Sequence, residues 1–478
     1  MTDPSNTWRS PLSERYASPA MLANFSERTK ITRWRRLWIE LARNERELGL
    51  SITQEQIAEL EAHVDEIDIA AAARYERELR HDVMAQIHAW GDLCPSARPI
   101  VHLGATSCFV TDNADLLAIR EGLDLVRAKL VNVIAALAKF AREYKSLPTL
   151  GWTHLQPAQA TTVGKRATLW LQDLVHDLED LDHARATLRF RGVKGTTGTQ
   201  ASFLELFDGD HGKVRELDAR VTRAFGFERS FGVTGQTYPR QADFRVLQVL
   251  SSVAQSAHKF AVDLRLLASR KELEEPFESK QIGSSAMPWK RNPMRSERIC
   301  SLARYVIAGL DNAAHTAANQ WLERTLDDSA NRRLVIAESF LATDAILILQ
   351  LDVARGLVVR PHVIAKNLAA ELPFLASEHV MMAAVKAGAD RQDVHESIRR
   401  ASRTASEAIL AGGENPLRSL LALDPVLGRL AGHLDDILDP ARFVGRAPEQ
   451  VEEFLAAEVD PILERNAYLL GEKAEVRV

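Results

Sequence analysis

Apolar residues recur at alternating steps of three and four along three long stretches, and this spacing constrains the fold more than any other feature. An average repeat of 3.5 residues keeps one apolar seam facing a neighbouring helix. Aromatic residues make up only 6% of the chain, while Ala, Leu, Glu and Arg abound, which favours helix throughout. The pattern predicts an all-α protein with long rods, of which the longest, at 113–145, would span about 50 Å. The seams are Leu116, Ile119, Leu123, Val126, Leu130, Val133, Leu137, Phe140 and Tyr144; Leu171, Leu174, Leu178 and Leu181; and Val246, Leu250, Val253, Ala257, Phe260, Leu264 and Leu267.

Two further helices are predicted near 294–320 and 331–357, which makes five long helices. The last is apolar on nearly every side between Leu334 and Leu351, so it must be covered all round. One chain offers too few neighbours for this, and the pattern therefore predicts an oligomer whose core is a shared helical bundle. The alternative is a central helix buried within its own subunit.

Prolines and glycines divide the chain into three predicted helical domains. Before residue 106 the apolar runs are short and are interrupted by Pro95 and Pro99, which indicates an N-terminal domain over 1–106. The long seams form a central domain over 107–359. Pro361 ends the last long helix, and 360–478 is expected to be a smaller helical domain.

Composition excludes several classes of function. The 65 acidic and 60 basic side chains give a net charge of −5, which provides no basis for a nucleic-acid partner or a membrane surface. Three widely spaced cysteines, a polar N-terminus and the lack of a run of about 18 apolar residues predict a soluble, cytoplasmic protein. The 14 histidines show no HExxH or similar spacing, so no metal site is expected.

The segment 279–293 is the most polar loop between the predicted rods. Gly283 lets the backbone turn, Ser284 offers a hydroxyl, and Lys290, Arg291 and Asn292 offer cationic and amide donors. Converging donors of this kind suit a carboxylate, whose oxygens accept several hydrogen bonds. The alternative for such a composition is a solvated surface loop.

The residues Gly283-Ser-Ser-Ala-Met-Pro-Trp-Lys-Arg-Asn-Pro293 resemble the GSSxMPxKxNP signature of the fumarase/aspartase superfamily of lyases. Other segments, in family order, are similar to the adenylosuccinate lyase branch, in the longer form typical of animals: 13–18, 79–83, 104–107, 153–159 and 321–333. The resemblance implies a homotetramer with a 20-helix core and active sites each built from three subunits. It also implies cofactor-free elimination of fumarate from adenylosuccinate, giving AMP, and from succinylaminoimidazole-carboxamide ribotide.

By this resemblance, Ser284 is the general base and His154 the general acid. The intermediate adds negative charge to a carboxylate, and one ammonium at 4 Å offsets only about 4 kcal/mol at an effective dielectric near 20, so several donors are needed. Lys290 and Asn292 would hold that carboxylate, and Glu297 would orient His154. An imidazole with an ordinary pKa near 6.5 suits proton donation around neutrality.

The resemblance also implies the groups that bind the succinylated nucleotide. Arg15, Arg324, Ser329 and Arg333 match positions that hold the 5′-phosphate, for which planar guanidinium groups are well suited. Arg324 and Arg333 are nine residues apart, so the intervening turn must bring them together. Further substrate contacts are expected at Tyr16, Arg80, His81, Asp82, Thr106, Ser107, Thr153, Gln236 and Arg298. Trp289 departs from the tyrosine or histidine usual in the family, and an indole lacks the acceptor of a phenol.

Two other functions compete with this interpretation. Argininosuccinate lyases share the serine loop but have no use for phosphate-binding arginines. A non-catalytic helical scaffold of the same fold would be expected to lose the acid or the base, whereas His154, Ser284, Lys290 and Asn292 are all present.

Overall fold

The computed structural model describes residues 6–477, and the predicted all-α class is confirmed within them. Nineteen α-helices and four short strands are found in this part of the chain. The N-terminal helices are α1 Pro19–Asn24, α2 Glu27–Glu47, α3 Gln54–Ala62, α4 Ile69–Leu79 and α5 Asp82–Leu93. The central elements are α6 Ser107–Glu143, β1 Pro148–Thr153, β2 Gln156–Thr162, α7 Val163–Thr187, α8 Ala201–Leu206, α9 His211–Ala224, α10 Gln241–Ser269, β3 Leu273–Glu274, α11 Met294–Ala318, α12 Asp327–Gly356 and β4 Val358–Val359. The remaining helices are α13 Pro361–Leu375, α14 Ser377–Lys386, α15 Arg391–Leu410, α16 Leu417–Leu423, α17 Leu434–Ile437, α18 Ala447–Phe454 and α19 Asp460–Arg465.

The five predicted long helices are found: the apolar seams correspond to α6, α7 and α10, and the two further helices to α11 and α12. The 37 residues of α6 span about 55 Å. Their seams meet in one hydrophobic core, where Leu130, Leu171, Leu250 and Phe340 are fully buried. The periodicity therefore identified both the rods and the faces by which they pack.

A buried arginine fixes the direction of three of these helices. Arg240, directly before α10, bonds Asp112 near the start of α6 at 3.1 Å and Asp328 at the start of α12 at 2.7 Å. Since α6, α10 and α12 begin together, they run parallel, and α7 and α11 return in the opposite direction. We call the common start the Arg240 end of the bundle. The opposite end, where α10 finishes and the serine loop (residues 279–293) leads into α11, is the Ser284 end.

The apolar helix α12 is covered mainly by its own subunit. Ile336, Phe340, Ile346 and Leu351 are buried in the main core, and α6, α10 and α11 all contact the helix. Within the described residues α12 is the one unbent helix long and apolar enough to cross a membrane, but 78% of its most apolar window is buried inside the protein. The argument that one chain has too few neighbours to cover this helix was wrong, because three other long helices of the same chain, α6, α10 and α11, pack against it.

Hydrophobic packing crosses both predicted domain boundaries. A second core joins the N-terminal helices to residues of the central stretch, including Phe190, Phe203 and Leu217. A third core lies within 372–438. Val451 and Leu455, beyond it, pack back on the main core beside α6 and α7. The division into 1–106, 107–359 and 360–478 remains a prediction.

Candidate active site

The serine loop folds so that two backbone groups donate to the hydroxyl of Ser284. The N–H groups of Ala286 and Met287 lie 3.3 and 3.1 Å from its Oγ. Asn292 Nδ2 donates to the carbonyl of Gly283 at 2.8 Å, which closes the loop at its base. A Cβ at Gly283 would lie 2.1 Å from the Lys290 carbonyl oxygen, so only glycine fits there. Donors aimed at Oγ favour its negatively charged form.

The start of α11 holds the C-terminal side of this loop. Glu275, a buried carboxylate, accepts hydrogen bonds from the backbone N–H groups of Arg295 and Ser296 at 3.0 and 2.9 Å. Burial raises the pKa of Glu275, although these bonds oppose the shift. Glu297 lies exposed in the first turn of the helix. The indole of Trp289 is 79% exposed, so the loop does not depend on it for packing within the subunit.

His154 lies at the tip of a β-hairpin that sequence reasoning missed. Thr153 pairs with Gln156, and the two residues between them, His154 and Leu155, have φ values of 54° and 56°. A two-residue turn with both central residues left-handed matches the right-handed twist of a hairpin. All four residues are exposed, and next to the turn the guanidinium of Arg270 stacks 3.8 Å from the Trp152 ring centroid, which holds this end of the hairpin. The turn therefore presents the imidazole outward from the subunit.

A polar cluster at the Arg240 end brings together residues from three separate segments. His81 Nε2 lies 3.3 Å from Ser107 Oγ, and His81 Nδ1 accepts the N–H of Met84 at the start of α5. Two further pairs link this region to residues near the starts of α10 and α12. Gln236 Nε2 donates to Thr106 Oγ1 at 3.2 Å, and Arg333 bonds Asp82 at 2.8 Å. Arg80, left-handed and exposed, ends α4 beside them.

Beneath this cluster lies a buried ionic network that the sequence analysis did not identify. Asp328 accepts from Arg240 at 2.7 Å and from Arg324 at 2.8 Å, so it fixes one of the expected phosphate-binding arginines. Ser329 follows in the same turn of α12. Burial alone would raise the pKa of Asp112, but the guanidinium groups of Arg240 and Arg332 outweigh it and lower that pKa. A signal was available, because Asp112, Asp243 and Arg332 fall three or four residues before Leu116, Val246 and Ile336 and so continue the apolar seams.

A third group surrounds a small cavity toward the Ser284 end. Arg15 and Tyr16 lie in the turn Leu12–Tyr16, and the guanidinium of Arg298 is 5.5 Å from the Tyr16 ring centroid. Ile348 of α12 also lines this cavity. Arg333 precedes Ile348 by 15 residues on the same helix, a distance of about 22 Å.

The expected site residues therefore divide between the two ends of the bundle. The His81 cluster, Arg324, Ser329 and Arg333 lie at the Arg240 end. Thr153, His154, Ser284, Lys290, Asn292, Glu297 and the Arg15–Tyr16–Arg298 group lie toward the Ser284 end. Ser107 and His154 are separated by the whole of α6, about 55 Å. Among the described residues no group of three or more His, Cys, Asp or Glu is placed to hold a metal ion.

Comparison with known proteins agrees with this architecture. The family model for lyases matches residues 17–308, and the model for the adenylosuccinate lyase C-terminus matches 373–454. In fold, the chain is similar to the 3-carboxy-cis,cis-muconate lactonizing enzyme of Pseudomonas putida (TM-score 0.80, 24% identity, 92% of this chain and 97% of that one). It is equally similar to a fumarate lyase of Mesorhizobium sp. BNC1 (TM-score 0.79, 23% identity, 93% and 99%).

Curated relatives match over nearly their whole length. The adenylosuccinate lyase of Saccharomyces cerevisiae is 53% identical over 99% of both chains. That of Schistosoma mansoni is 50% identical over 96% of this chain and 97% of its own. That of Archaeoglobus fulgidus is 33% identical over 92% and 97%. On these matches, the chain belongs to the adenylosuccinate lyase family.

Proposed function

We propose that the protein eliminates fumarate from adenylosuccinate, giving AMP, and from succinylaminoimidazole-carboxamide ribotide, giving the carboxamide ribotide. The observation that carries the proposal is the serine loop: Ser284 Oγ accepts two backbone hydrogen bonds within a complete family signature. A serine hydroxyl is a weak base in water, and preorganised donors are what makes its alkoxide accessible. One site serves both substrates, since both carry a succinyl-amine and a ribose phosphate.

In the proposed reaction Ser284 Oγ removes the proton beside a succinyl carboxylate. Negative charge then spreads onto that carboxylate, where Lys290 and Asn292 hold it. The exposed ammonium of Lys290 is free to approach a ligand, and the amide of Asn292 is already ordered by its bond to Gly283. His154 protonates the departing nitrogen as the C–N bond breaks, with Glu297 orienting the imidazole. No cofactor takes part in these steps.

We infer that the active unit is a homotetramer with a 20-helix core and sites shared between three subunits. The separation of the expected residues supports this, because about 55 Å of helix lies between Ser107 and His154 of one chain. A single nucleotide cannot bridge that distance. When symmetry sets the long helices of two subunits side by side and antiparallel, the Arg240 end of one subunit lies beside the Ser284 end of another.

The 5′-phosphate would be held by Arg324, Ser329 and Arg333 of one subunit and Arg15 of another. Each guanidinium has five N–H donors, so Arg333 can keep its bond to Asp82 and still donate to a phosphate. His81, Ser107, Thr106 and Gln236 lie beside that position. Arg80, Thr153, Tyr16 and Arg298 complete the expected contacts with the ribose, base and succinyl groups.

The expected surroundings of the enzyme follow from its chemistry. Its partners are small succinylated purine nucleotides and copies of itself, with no nucleic acid or membrane involved. We infer a cytoplasmic location, because Cys94, Cys108 and Cys300 are all buried and free, as in a reducing compartment.

The test is to mix purified protein with adenylosuccinate and follow the purine absorbance as fumarate leaves. We expect turnover of both proposed substrates, and turnover lower by about 10²–10⁴ with Ser284→Ala. Turnover of argininosuccinate instead would favour the related lyase, and a chain that binds no succinylated nucleotide would favour the scaffold. Either result overturns the proposal.

A further inference from the structure

Residues 471–477, which we call the strap, follow the last helical turn and have no regular secondary structure. Its side chains alternate: Glu472, Ala474 and Val476 are half-buried, and Lys473 and Arg477 are exposed. Ala474 and Val476 pack on the main hydrophobic core. The alternation is that of a strand with one face against the protein, so the strap has a defined course along the bundle.

Buried polar side chains hold the first residues of the strap. Asn132, only 2% exposed, accepts hydrogen bonds at Oδ1 from the backbone N–H groups of Gly471 at 3.0 Å and Glu472 at 3.2 Å. Arg355 Nη1 donates to the Glu472 carbonyl at 2.7 Å. Because a buried amide without partners is costly, α6 and α12 are adapted to hold this segment.

A buried lysine joins the strap to the segment that carries Arg15 and Tyr16. Lys129 Nζ lies 3.0 Å from Glu472 Oε1 and 3.0 Å from Asp344 Oδ1. Asp344 Oδ2 in turn accepts the backbone N–H of Ser18 at 2.6 Å. Ser18 follows Tyr16 by two residues and caps α1. One ammonium therefore fixes two chain segments that are more than 300 residues apart in sequence.

Both segments lead to the cavity at the Ser284 end. Arg15, Tyr16 and Arg298 line it together with Glu475, Val476 and Arg477. Three guanidinium groups and one carboxylate give this cavity a net positive charge. Converging guanidinium groups of this kind bind oxyanions.

We propose that the strap is part of the substrate site: Arg477 is a third guanidinium that binds an anionic group of the substrate, and Glu472 positions Tyr16 and Arg15 through Lys129 and Asp344. This rests on the proposed function and names a segment of that site outside every family motif in the sequence. The anionic group that Arg477 binds is either the phosphate or a carboxylate of the substrate. The two products distinguish these possibilities, because AMP carries a phosphate and no carboxylate, and fumarate carries carboxylates and no phosphate.

The first test compares Arg477→Ala with Lys473→Ala, a matched loss of charge on the same exposed face. We expect Arg477→Ala to raise KM for adenylosuccinate about tenfold, equivalent to roughly 1.4 kcal/mol of binding, with kcat nearly unchanged and with Lys473→Ala like the wild type. Calorimetric titration then identifies the source: weaker binding of AMP indicates the phosphate, and weaker binding of fumarate indicates a carboxylate. If Arg477→Ala binds both products and substrate like the wild type, the proposal is overturned.

The second test uses Glu472→Gln, which keeps the three backbone hydrogen bonds of the strap and removes its charge beside Lys129. We expect KM to rise severalfold with kcat retained. A lower melting temperature with an unchanged KM would mean that Glu472 acts on stability alone and would overturn its positioning role. A wild-type chain that neither binds AMP nor releases fumarate would overturn the proposed function itself, and the proposal for the strap with it.

Discussion

Ser107 and His154 of one chain lie beyond each other's reach, because Ser107 begins the 37-residue helix α6 and His154 lies in the hairpin that follows its far end. His81 contacts Ser107 at 3.3 Å, so it shares that end. If both histidines act on one substrate, they must come from different subunits. The length of α6 therefore constrains how the subunits assemble around the active site.

The first prediction is that two inactive variants restore activity when mixed. His154→Ala and His81→Ala, each nearly inactive alone, are denatured together and refolded into mixed tetramers. About a quarter of the sites then receive both native histidines if subunits combine at random, so we expect close to that fraction of wild-type turnover. His154→Ala mixed with Ser284→Ala asks whether the proposed acid and base, which lie toward the same end of one chain, also come from different subunits. No recovery in either mixture, with tetramers formed, would contradict sharing of the site.

The second prediction concerns the proposed acid and base. Ser284→Ala and His154→Ala should each lower kcat by about 10²–10⁴, the range usual for loss of a proton-transfer group, and leave the melting temperature and oligomeric state unchanged. Both side chains are at least partly exposed, so their removal leaves no cavity in the core. Ser279→Ala, an exposed hydroxyl in the same loop, is the matched control. Turnover near normal in either variant would remove that residue from the mechanism.

The third prediction concerns Asp328, which joins the buried network to the phosphate-binding region. Asp328→Asn leaves Arg240 with Asp112 alone and releases Arg324 from its 2.8 Å bond. Breaking a buried ion pair costs about 3–5 kcal/mol, so unfolding in urea should occur at a markedly lower concentration. KM for adenylosuccinate should rise as well, because Arg324 is no longer oriented.

The control for this variant is the adjacent Asp327→Asn. Asp327 is exposed, and its side chain accepts a hydrogen bond from Thr325 Oγ1 at 3.2 Å. It should change neither stability nor KM by a measurable amount. Equal effects of the two substitutions would mean that the charge of the helix start matters and the buried bridge does not.

Sequence periodicity predicted the rods because a long amphipathic helix repeats its signal many times. The hairpin that carries His154 was not predicted, since its strands contain Pro148, Gly151 and Pro157 and no alternation of apolar residues. Its turn also has no Gly or Asn at either left-handed position, which are the residues that mark such turns. The family motif still identified His154, because motif residues are recognised by identity and need no local structure.

Distances between motifs were the part that sequence could not provide. Each candidate residue was recognised from the residues next to it in the sequence. The division of the site between the Arg240 and Ser284 ends depends instead on the direction and length of α6 and α12. The incorrect argument that one chain cannot cover α12 has the same origin. An apolar surface shows that a helix is covered, but only the fold shows that α6, α10 and α11 of the same chain cover it.

The fourth prediction is a pH-dependent instability at Glu45 of α2. This carboxyl group is fully buried, and neither oxygen has a hydrogen-bond partner within the described residues. Burial raises the pKa of Glu45 to about 9, whereas in the unfolded chain it is near the ordinary value. Since the folded form prefers the proton, the penalty is absent below pH 4 and grows as the pH rises toward 9.

Glu45→Gln removes this penalty because the amide never ionises. Its free energy of unfolding should exceed that of the wild type by a few kcal/mol at pH 8 and by much less at pH 5, measured by urea denaturation at both values. Glu47→Gln, an exposed carboxylate two residues along the same helix, should show no comparable pH-dependent gain. Parallel stability curves for Glu45→Gln and the wild type would mean that the folded protein accommodates the Glu45 charge, through water or a local opening of α2.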